Sequence, residues 1–335
     1  MATIKDIARE AKVSTSTVSH VINKDQNVSE NLTKKILFIM KKLDYTPNLI
    51  AKSLKIKKTN TIGLVLPDIS DALLSELAGN IENILKDFNY RLIISNSEWD
   101  IKKESEIVRT LSYSMVDGLL VLPVAGSLIN KEELEKKKIP VIFLDNKVSG
   151  LNIMSVMVDN YRGSYDATTY LIGLGHRLIG YIGSNEGTLT CFYRKKGYKN
   201  ALKDNNIKIT KGFIIKTGSN YIDGKEAVKS FLALNKKPTA IVAEDDILAM
   251  GAIRGITDAN LKVPEDMSVL GFDDNPIASI YIPRLSTVHY PVNEIAKEAC
   301  SILLDMINNA SFKKNKDIVI EPRLIIREST ARARV

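Results

Sequence analysis

The sequence predicts an all-α head followed by an α/β core of two doubly wound parallel-sheet lobes. Three observations predict it. Through residues 1–46 the apolar positions recur at helical spacing, opening on a helix-turn-helix pattern. From Thr61 onward they gather into short continuous runs separated by amphipathic stretches. Those runs come in two successive series, enough for two sheets.

The composition admits such a fold. A chain of 335 residues, 44% hydrophobic and 26% charged, can bury a sizeable core and has no bias toward disorder. It has no apolar run of about 18 residues, so no membrane association is expected. The opening MATIKDIAREAKV mixes charges and lacks the apolar stretch of a secretory leader. Cys191 and Cys300 form no motif, and a reducing cytoplasm is the expected compartment. Charge is unevenly placed. Residues 1–60 hold 12 Lys/Arg against 5 Asp/Glu, whereas the other 275 hold 35 against 34. A nearly neutral body with a basic head suits a polyanion bound at one end, although a solvated lysine-rich surface gives the same count.

In the head, Thr3 and Asp6 have capping-box spacing, and Ile4, Ile7, Ala8 and Ala11 form one apolar face behind them. Lys12-Val13-Ser14 breaks this helix. A second helix is expected from Thr15 to about Asn23, burying Val18, Val21 and Ile22. A third, after Ser29, buries Leu32, Ile36, Ile39 and Leu43. The first two, joined by a tight turn, make a helix-turn-helix unit. The outer face of the second helix carries Thr15, Ser16, Thr17, Ser19 and His20. Small hydroxyl residues lower helix propensity, so their concentration there needs a reason beyond structure. Reading base edges in a major groove supplies one, because it needs short donors and acceptors on a helix's first turns. His20 is the strongest candidate base reader, against the alternative of an ordinary surface histidine.

Pro47 ends the head, since the residue before a proline is pushed away from helical angles. Asn48 can cap a short segment, Leu49 to Lys55, in which Leu54 stands as an apolar residue among Lys52, Lys55, Lys57 and Lys58. Beyond it the strand-like runs are 61–66, 91–96, 117–122, 140–145 and 155–159, with helical stretches at about 71–87, 100–114 and 131–137. A second series follows at 178–183, 213–217, 239–244 and 267–272. Continuous apolar strands separated by helices imply parallel sheets covered on both faces, hence two lobes with a cleft between them. Ligands of such sheets lie beyond the carboxyl ends of the strands. Asp145, Asp245 and Asp273 fall there, and Arg194, in YRKKGY, is expected to open a helix after the YIG strand and its loop. Carboxylates accept from neighbouring hydroxyls and a guanidinium donates in a rigid fork, which together suit a polyhydroxylated ligand. Strand-end aspartates also serve as loop caps.

Other signals fail on spacing. Gly173-Leu174-Gly175 lacks the third glycine of a dinucleotide loop and precedes a strand instead of following one. His20, His176 and His289 are scattered without Cys or carboxylate ligands at metal-binding spacing, so neither a metal nor a cofactor is expected. No nucleophile elbow is present, so an enzyme is not expected. A solute-binding protein would share the core but lack residues 1–58.

The segment TIKDIAREAKVSTSTVSHVINKDQNVSENLTKKI, followed by LDYTPNLIAKSLKIKKTNTIGLVLPDIS, resembles the lactose-repressor (LacI/GalR) family of transcription regulators. Its STSTVSHVINK helix is particularly similar to the purine-repressor branch of that family. The resemblance continues through GYIG, EDDILAMGAI, VPEDMSVLGFDD, LSTVHYP and EPRLIIREST, and so spans essentially the whole chain. It implies a periplasmic-binding-protein-like core whose chain crosses between lobes near 160, 290 and 320. The implied domains are a DNA-binding head at 1–46, a hinge helix and linker at 47–60, a first lobe from 61–160 with about 290–320, and a second from 161–289 with about 321–330. It implies DNA contacts from Thr3, Thr15, Ser16, Thr17, Ser19 and His20, joined by Asn23 and Tyr45. In the hinge it implies Asn48, Ser53, Leu54 and Lys55, with Leu54 wedged between base pairs in the minor groove. In the cleft it implies effector contacts from Arg194 and Asp273, then Asp145 and Asp245, with Leu73 and Leu74 where many members carry stacking aromatics. Thr188 stands where purine-binding members carry an arginine, which argues against a purine and leaves a sugar or sugar derivative as the expected effector. The expected function is then that of a cytoplasmic, nucleoid-associated repressor controlled by that effector. The sequence closes on ESTARARV without leucine heptads, so a homodimer on palindromic double-stranded DNA is expected. A protein co-regulator docking on the core is compatible with the resemblance.

Overall fold

The computed structural model describes residues 2–22, 28–45, 58–113, 116–129, 134, 139–148, 150–184, 188–309 and 316–334. The expectations for Asn23, Asn48, Ser53, Leu54 and Lys55, and most of the helix expected at 131–137, lie outside them. The chain divides into two compact units, Met1–Thr59 and Asn60–Val335.

The first unit holds α1 (Ile4–Ala11), α2 (Thr15–Ile22) and α3 (Glu30–Lys42). The capping box forms: the Thr3 hydroxyl accepts from the Asp6 amide, and the Asp6 carboxylate accepts from the Thr3 amide at 2.9 Å. α1 ends on Lys12, whose φ of 58° lets its amide reach back to the carbonyls of Ala8 and Arg9. Lys35 of α3 donates to the Ala11 carbonyl at 3.1 Å, satisfying another orphan group of that helix end. Ile7, Ala8, Ala11, Val18, Val21, Ile36 and Ile39 form the buried core, with Ile22, Leu32, Leu43 and Tyr45 packed at its margin.

The second unit begins with β1 (Thr61–Leu66), α4 (Ala72–Asp87), β2 (Arg91–Asn96), α5 (Ile101–Ser112), β3 (Gly118–Val121), β4 (Val141–Leu144) and β5 (Ser155–Val158). The chain then builds α6 (Asn160–Gly173), β6 (Ile179–Ser184), α7 (Leu189–Asp204), β7 (Ile214–Thr217), α8 (Tyr221–Leu232), β8 (Ala240–Ala243), α9 (Asp246–Asp258) and β9 (Ser268–Leu270). After a 3-10 turn at Pro276–Ser279 come β10 (Thr287–His289), α10 (Val292–Asn308), β11 (Ile318–Ile320) and β12 (Arg323–Ile325).

Two parallel sheets result, in the orders β11-β5-β4-β3-β1-β2 and β7-β6-β8-β9. β1 and β6 are buried along their whole length, as central strands covered on both faces must be. β2 lies at an edge and is exposed at Arg91, Ile93 and Ile94. The chain passes between lobes three times. β5 leads into α6, which packs on α7; β10 leads into α10, which packs on α4; β11 of the first sheet leads into β12, which pairs antiparallel with β10. The tail then lies along the second sheet, where the Val269 amide donates to the Ser329 carbonyl at 2.8 Å. Neighbouring helices of the second lobe approach at glycine. A Cβ on Gly197 would lie 2.3 Å from the Tyr161 carbonyl oxygen, and one on Gly251 2.1 Å from that of Tyr221.

Candidate DNA-reading helix and effector cleft

On α2, Thr15, Ser16 and His20 are exposed, while Thr17 and Ser19 are half-buried. Ser14 caps the helix, its hydroxyl accepting from the Thr17 amide at 3.1 Å. That hydroxyl also meets those of Ser16 at 2.7 Å and Thr17 at 2.9 Å, so a small hydroxyl cluster sits at the helix start. Thr3 is exposed, but its hydroxyl already serves the α1 cap. Tyr45 is half-buried against the head core, which fixes the chain as it leaves α3.

In the core, Arg194 is the centre of a polar cluster drawn from both lobes. It is 5% exposed. Its Nη2 donates to Asp273 Oδ1 at 2.8 Å, its Nη1 to the Glu244 carbonyl at 2.7 Å, and its Nε to Asn160 Oδ1 at 2.8 Å. The guanidinium also stacks over the Phe272 ring, 3.7 Å from its centre. Asp145, from the end of β4, joins from the first lobe: its Oδ1 accepts from Asn160 Nδ2 at 3.3 Å and its Oδ2 from the Thr190 hydroxyl at 2.8 Å. Thr190 belongs to α7, so this last bond spans the lobes. Asp145, Asp273 and Asp274 all have positive φ, at 56°, 108° and 58°. Three non-glycine residues in that region are costly and are held by their surroundings. Asp274 is gripped by Arg327 Nη2 at 2.6 Å and His289 Nδ1 at 3.0 Å, both on segments that cross between lobes.

The electrostatics follow from burial. Burial works against the Arg194 charge, but Asp273, Asp145 and Glu244 outweigh it and hold the guanidinium firmly charged. Burial pushes Asp273 up to about 6 despite the pull of Arg194. Burial first, then the Asp273 carboxylate, pushes Asp245 up to about 8. Asp246 is raised well above the carboxylate range by burial, although Thr287 at 2.5 Å and the Asn275 amide at 2.7 Å both donate to it. Burial likewise raises the Cys191 thiol to about 11 and Cys300 to about 12, so both remain protonated and inert at neutral pH.

The residues expected in the cleft are distributed as follows. Arg194, Asp145 and Asp273 converge. Arg194 sits in the second turn of α7 and does not open it, because Thr188 caps that helix through the Cys191 amide at 3.1 Å. Asp245 is the N-cap of α9, accepting from the Leu248 amide at 2.7 Å, and keeps partial exposure. Leu74 packs in the lobe core, since the spacing of Leu74, Leu77, Ala78, Ile81 and Leu85 turns it to the sheet; Leu73 beside it stays half-buried. Asn160, Thr190, Phe272 and Glu244 were not anticipated. Their signal was present only in part: Asn160 and Phe272 border a strand end, while Thr190 is placed by a helix start that no spacing announces.

Comparisons with known proteins agree with this architecture. The family described as "Bacterial regulatory proteins, lacI family" matches residues 3–48, and the "Periplasmic binding protein-like domain" matches residues 168–330. The chain is 38% identical to the HTH-type transcriptional regulator RegA of Clostridium saccharobutylicum, over 98% of this chain and 100% of that one. It is 36% identical to the ribose operon repressor of Haemophilus influenzae, over 98% of each. A LacI family transcriptional regulator from Enterococcus faecium with bound ribose superposes at a TM-score of 0.75 and 29% identity, covering 82% of this chain and all of that one. A helix-turn-helix head with a two-lobed ligand-binding core defines a ligand-responsive DNA-binding regulator, not an enzyme. The chain belongs to the LacI family of transcription regulators.

Proposed function

We propose that this regulator is a sequence-specific repressor that binds a palindromic operator as a homodimer and responds to a sugar or sugar derivative held between its core lobes. The observation that carries the reading is the pairing, in one chain, of the exposed Thr15, Ser16 and His20 face with a cleft of carboxylates around a buried arginine. Asp145, Arg194, Asp245, Asp273 and Leu73 take the effector, and Thr17, Ser19, Asn23 and Tyr45 complete the head's contacts. In the hinge, residues 47–60, Asn48, Ser53 and Lys55 flank Leu54, which wedges into the central base step. The Haemophilus relative's name and the Enterococcus ligand support a sugar. Ile280 and Ile282, 75% and 88% exposed, set two apolar side chains two residues apart on the surface, which supports a second copy. No helix among the described residues is long and apolar enough to cross a membrane, which accords with action on the nucleoid in the cytoplasm.

Selection from random DNA tests the reading. The expected product is a palindrome with a central CpG step and A-rich half-sites. His20→Ala should weaken binding by about 1–3 kcal/mol and relax one base position in each half-site. Recovery of no palindrome, or an unchanged site for the variant, would overturn it.

A further inference from the structure

The charge of the core is balanced in total and segregated along the chain. Residues 195–237 hold 11 Lys against 3 Asp/Glu, while the rest of 61–335 holds 24 Lys/Arg against 31 Asp/Glu. Part of that excess lines one face of α7. Phe192, Lys196, Lys199 and Lys203 follow i, i+4, i+7, i+11 spacing, which sets them on a common side of the helix, and all four are exposed. Arg194, Tyr198 and Ala201 occupy the opposite, buried side. The stripe continues into the loop after the helix through Lys208, Ile209 and Lys211, all exposed. The Ile207 amide ties that loop to the Leu202 carbonyl at 2.9 Å.

Stability does not account for the stripe. Lys196 and Lys199 stand three apart, and Lys199 and Lys203 four apart, spacings at which like charges repel. No Asp or Glu lies three or four positions from any of them, and none of the three makes an ion pair among the described residues. Neighbouring helices are built otherwise: Arg162 meets Asp166 on α6, Lys229 meets Glu226 on α8, and Arg254 meets Asp258 on α9. The helix dipole favours Lys203 in the last turn, but not Lys196 or Lys199. Phe192, 54% exposed, adds a large apolar ring to the same face, with Lys196 Nζ 5.8 Å from its centre.

This face is clear of the side that carries Ile280 and Ile282. Tyr181 and Ile182, neighbours on β6, point to opposite faces of the second sheet. Tyr198 and Leu202 of α7 pack in the core around Tyr181, whereas Tyr281 packs in the core around Ile182.

We propose that the outward face of α7, from Phe192 through Lys211, docks a partner protein whose surface is acidic around an apolar centre. Lysines alone would suit DNA equally well. Phe192 and Ile209 decide for protein, because a phosphate backbone offers an apolar side chain nothing to pack on, whereas protein interfaces bury aromatic groups inside a polar rim.

Fluorescence anisotropy on the full chain at low ionic strength tests this with three labelled probes. The first is a short helical peptide with a Leu/Phe stripe flanked by Asp and Glu. The second is the same peptide with its stripe changed to Ser, and the third a random-sequence DNA duplex. Lys196→Gln/Lys199→Gln/Lys203→Gln should weaken the first probe about fivefold or more, as three exposed ion pairs would. Lys86→Gln/Lys102→Gln/Lys297→Gln, the same loss of charge at exposed first-lobe positions, should not. Phe192→Ser should bring the first probe down toward the affinity of the second and leave the second unchanged. Equal behaviour of the two triple variants, which is also the result of binding at the basic head, would overturn the proposal. So would equal affinity for the two peptides, or no peptide binding at all. Duplex affinity lowered by the α7 triple alone would give this face to DNA and overturn the protein partner.

Discussion

Arg194 illustrates how a buried charge survives in this core: every nitrogen is matched, one face is stacked on Phe272, and carboxylates surround it. Asp245 is less well provided for, and the consequence is measurable. Its unfolded value is near 3.9, while in the folded chain it is pushed up to about 8. Between those values the folded state holds a proton that the unfolded state has released, so raising the pH favours unfolding. Asp273, at about 6, adds to this in the lower half of the window. His176, held neutral by burial, works in the opposite direction but equally in any variant that spares it. The ligand-free protein should therefore lose melting temperature between pH 5 and 8 by more than Asp245→Asn does, as calorimetric scans at each pH would show. Parallel pH profiles would mean that Asp245 titrates normally. At this scale the cleft was partly legible. Asp145, Asp273 and Arg194 follow a strand or occupy the next helix, where ligands of such sheets are held. Thr190 and Asn160 escaped because they matter only once the third dimension brings α7 and α6 beside β4.

Elements were legible where burial is two-sided. β1, β3, β4, β6 and β8 read as unbroken apolar runs because helices cover both of their faces, and they occur within a residue or two of the expected bounds. Side-chain patterns could not show how closely helices approach. α8 and α9 meet backbone to backbone, with Gly251 against the Tyr221 carbonyl and Gly224 against that of Leu248. Gly251→Ala gains up to about 1 kcal/mol of helix propensity. Its methyl group would nevertheless sit 2.1 Å from a carbonyl oxygen that only a helix displacement can move. The net effect should be destabilisation by about 1–3 kcal/mol, the usual cost of overpacking. Gly79 of α4 has nothing within 4 Å of its virtual Cβ. Gly79→Ala should stabilise by roughly 0.5–1 kcal/mol instead. Urea titrations of both variants settle the contrast, and equal shifts of either sign would refute close packing as the reason for Gly251.

For the whole molecule, the decisive quantity is where the charge lies. Residues 1–60 carry 12 Lys/Arg against 5 Asp/Glu, and the remaining 275 residues are close to neutral. The boundary between the two compact units falls at nearly the same place, between Thr59 and Asn60. The polyanion-binding unit and the effector-binding unit thus coincide with two separately packed bodies, each with its own buried core. Ligand control of DNA binding then requires no contact between effector and DNA, only unequal effector affinity for two arrangements of the core. A core fragment beginning at Thr61 should retain the effector affinity of the full chain and lose DNA binding altogether. In the full chain, the logarithm of operator affinity should fall linearly with the logarithm of salt, at about −0.9 per phosphate neutralised. Fluorescence anisotropy with labelled operator across a salt series, run on both proteins, reads both quantities. Operator affinity surviving in the fragment would move the DNA site into the core, and a flat salt dependence in the full chain would remove the basic head as the source of attraction.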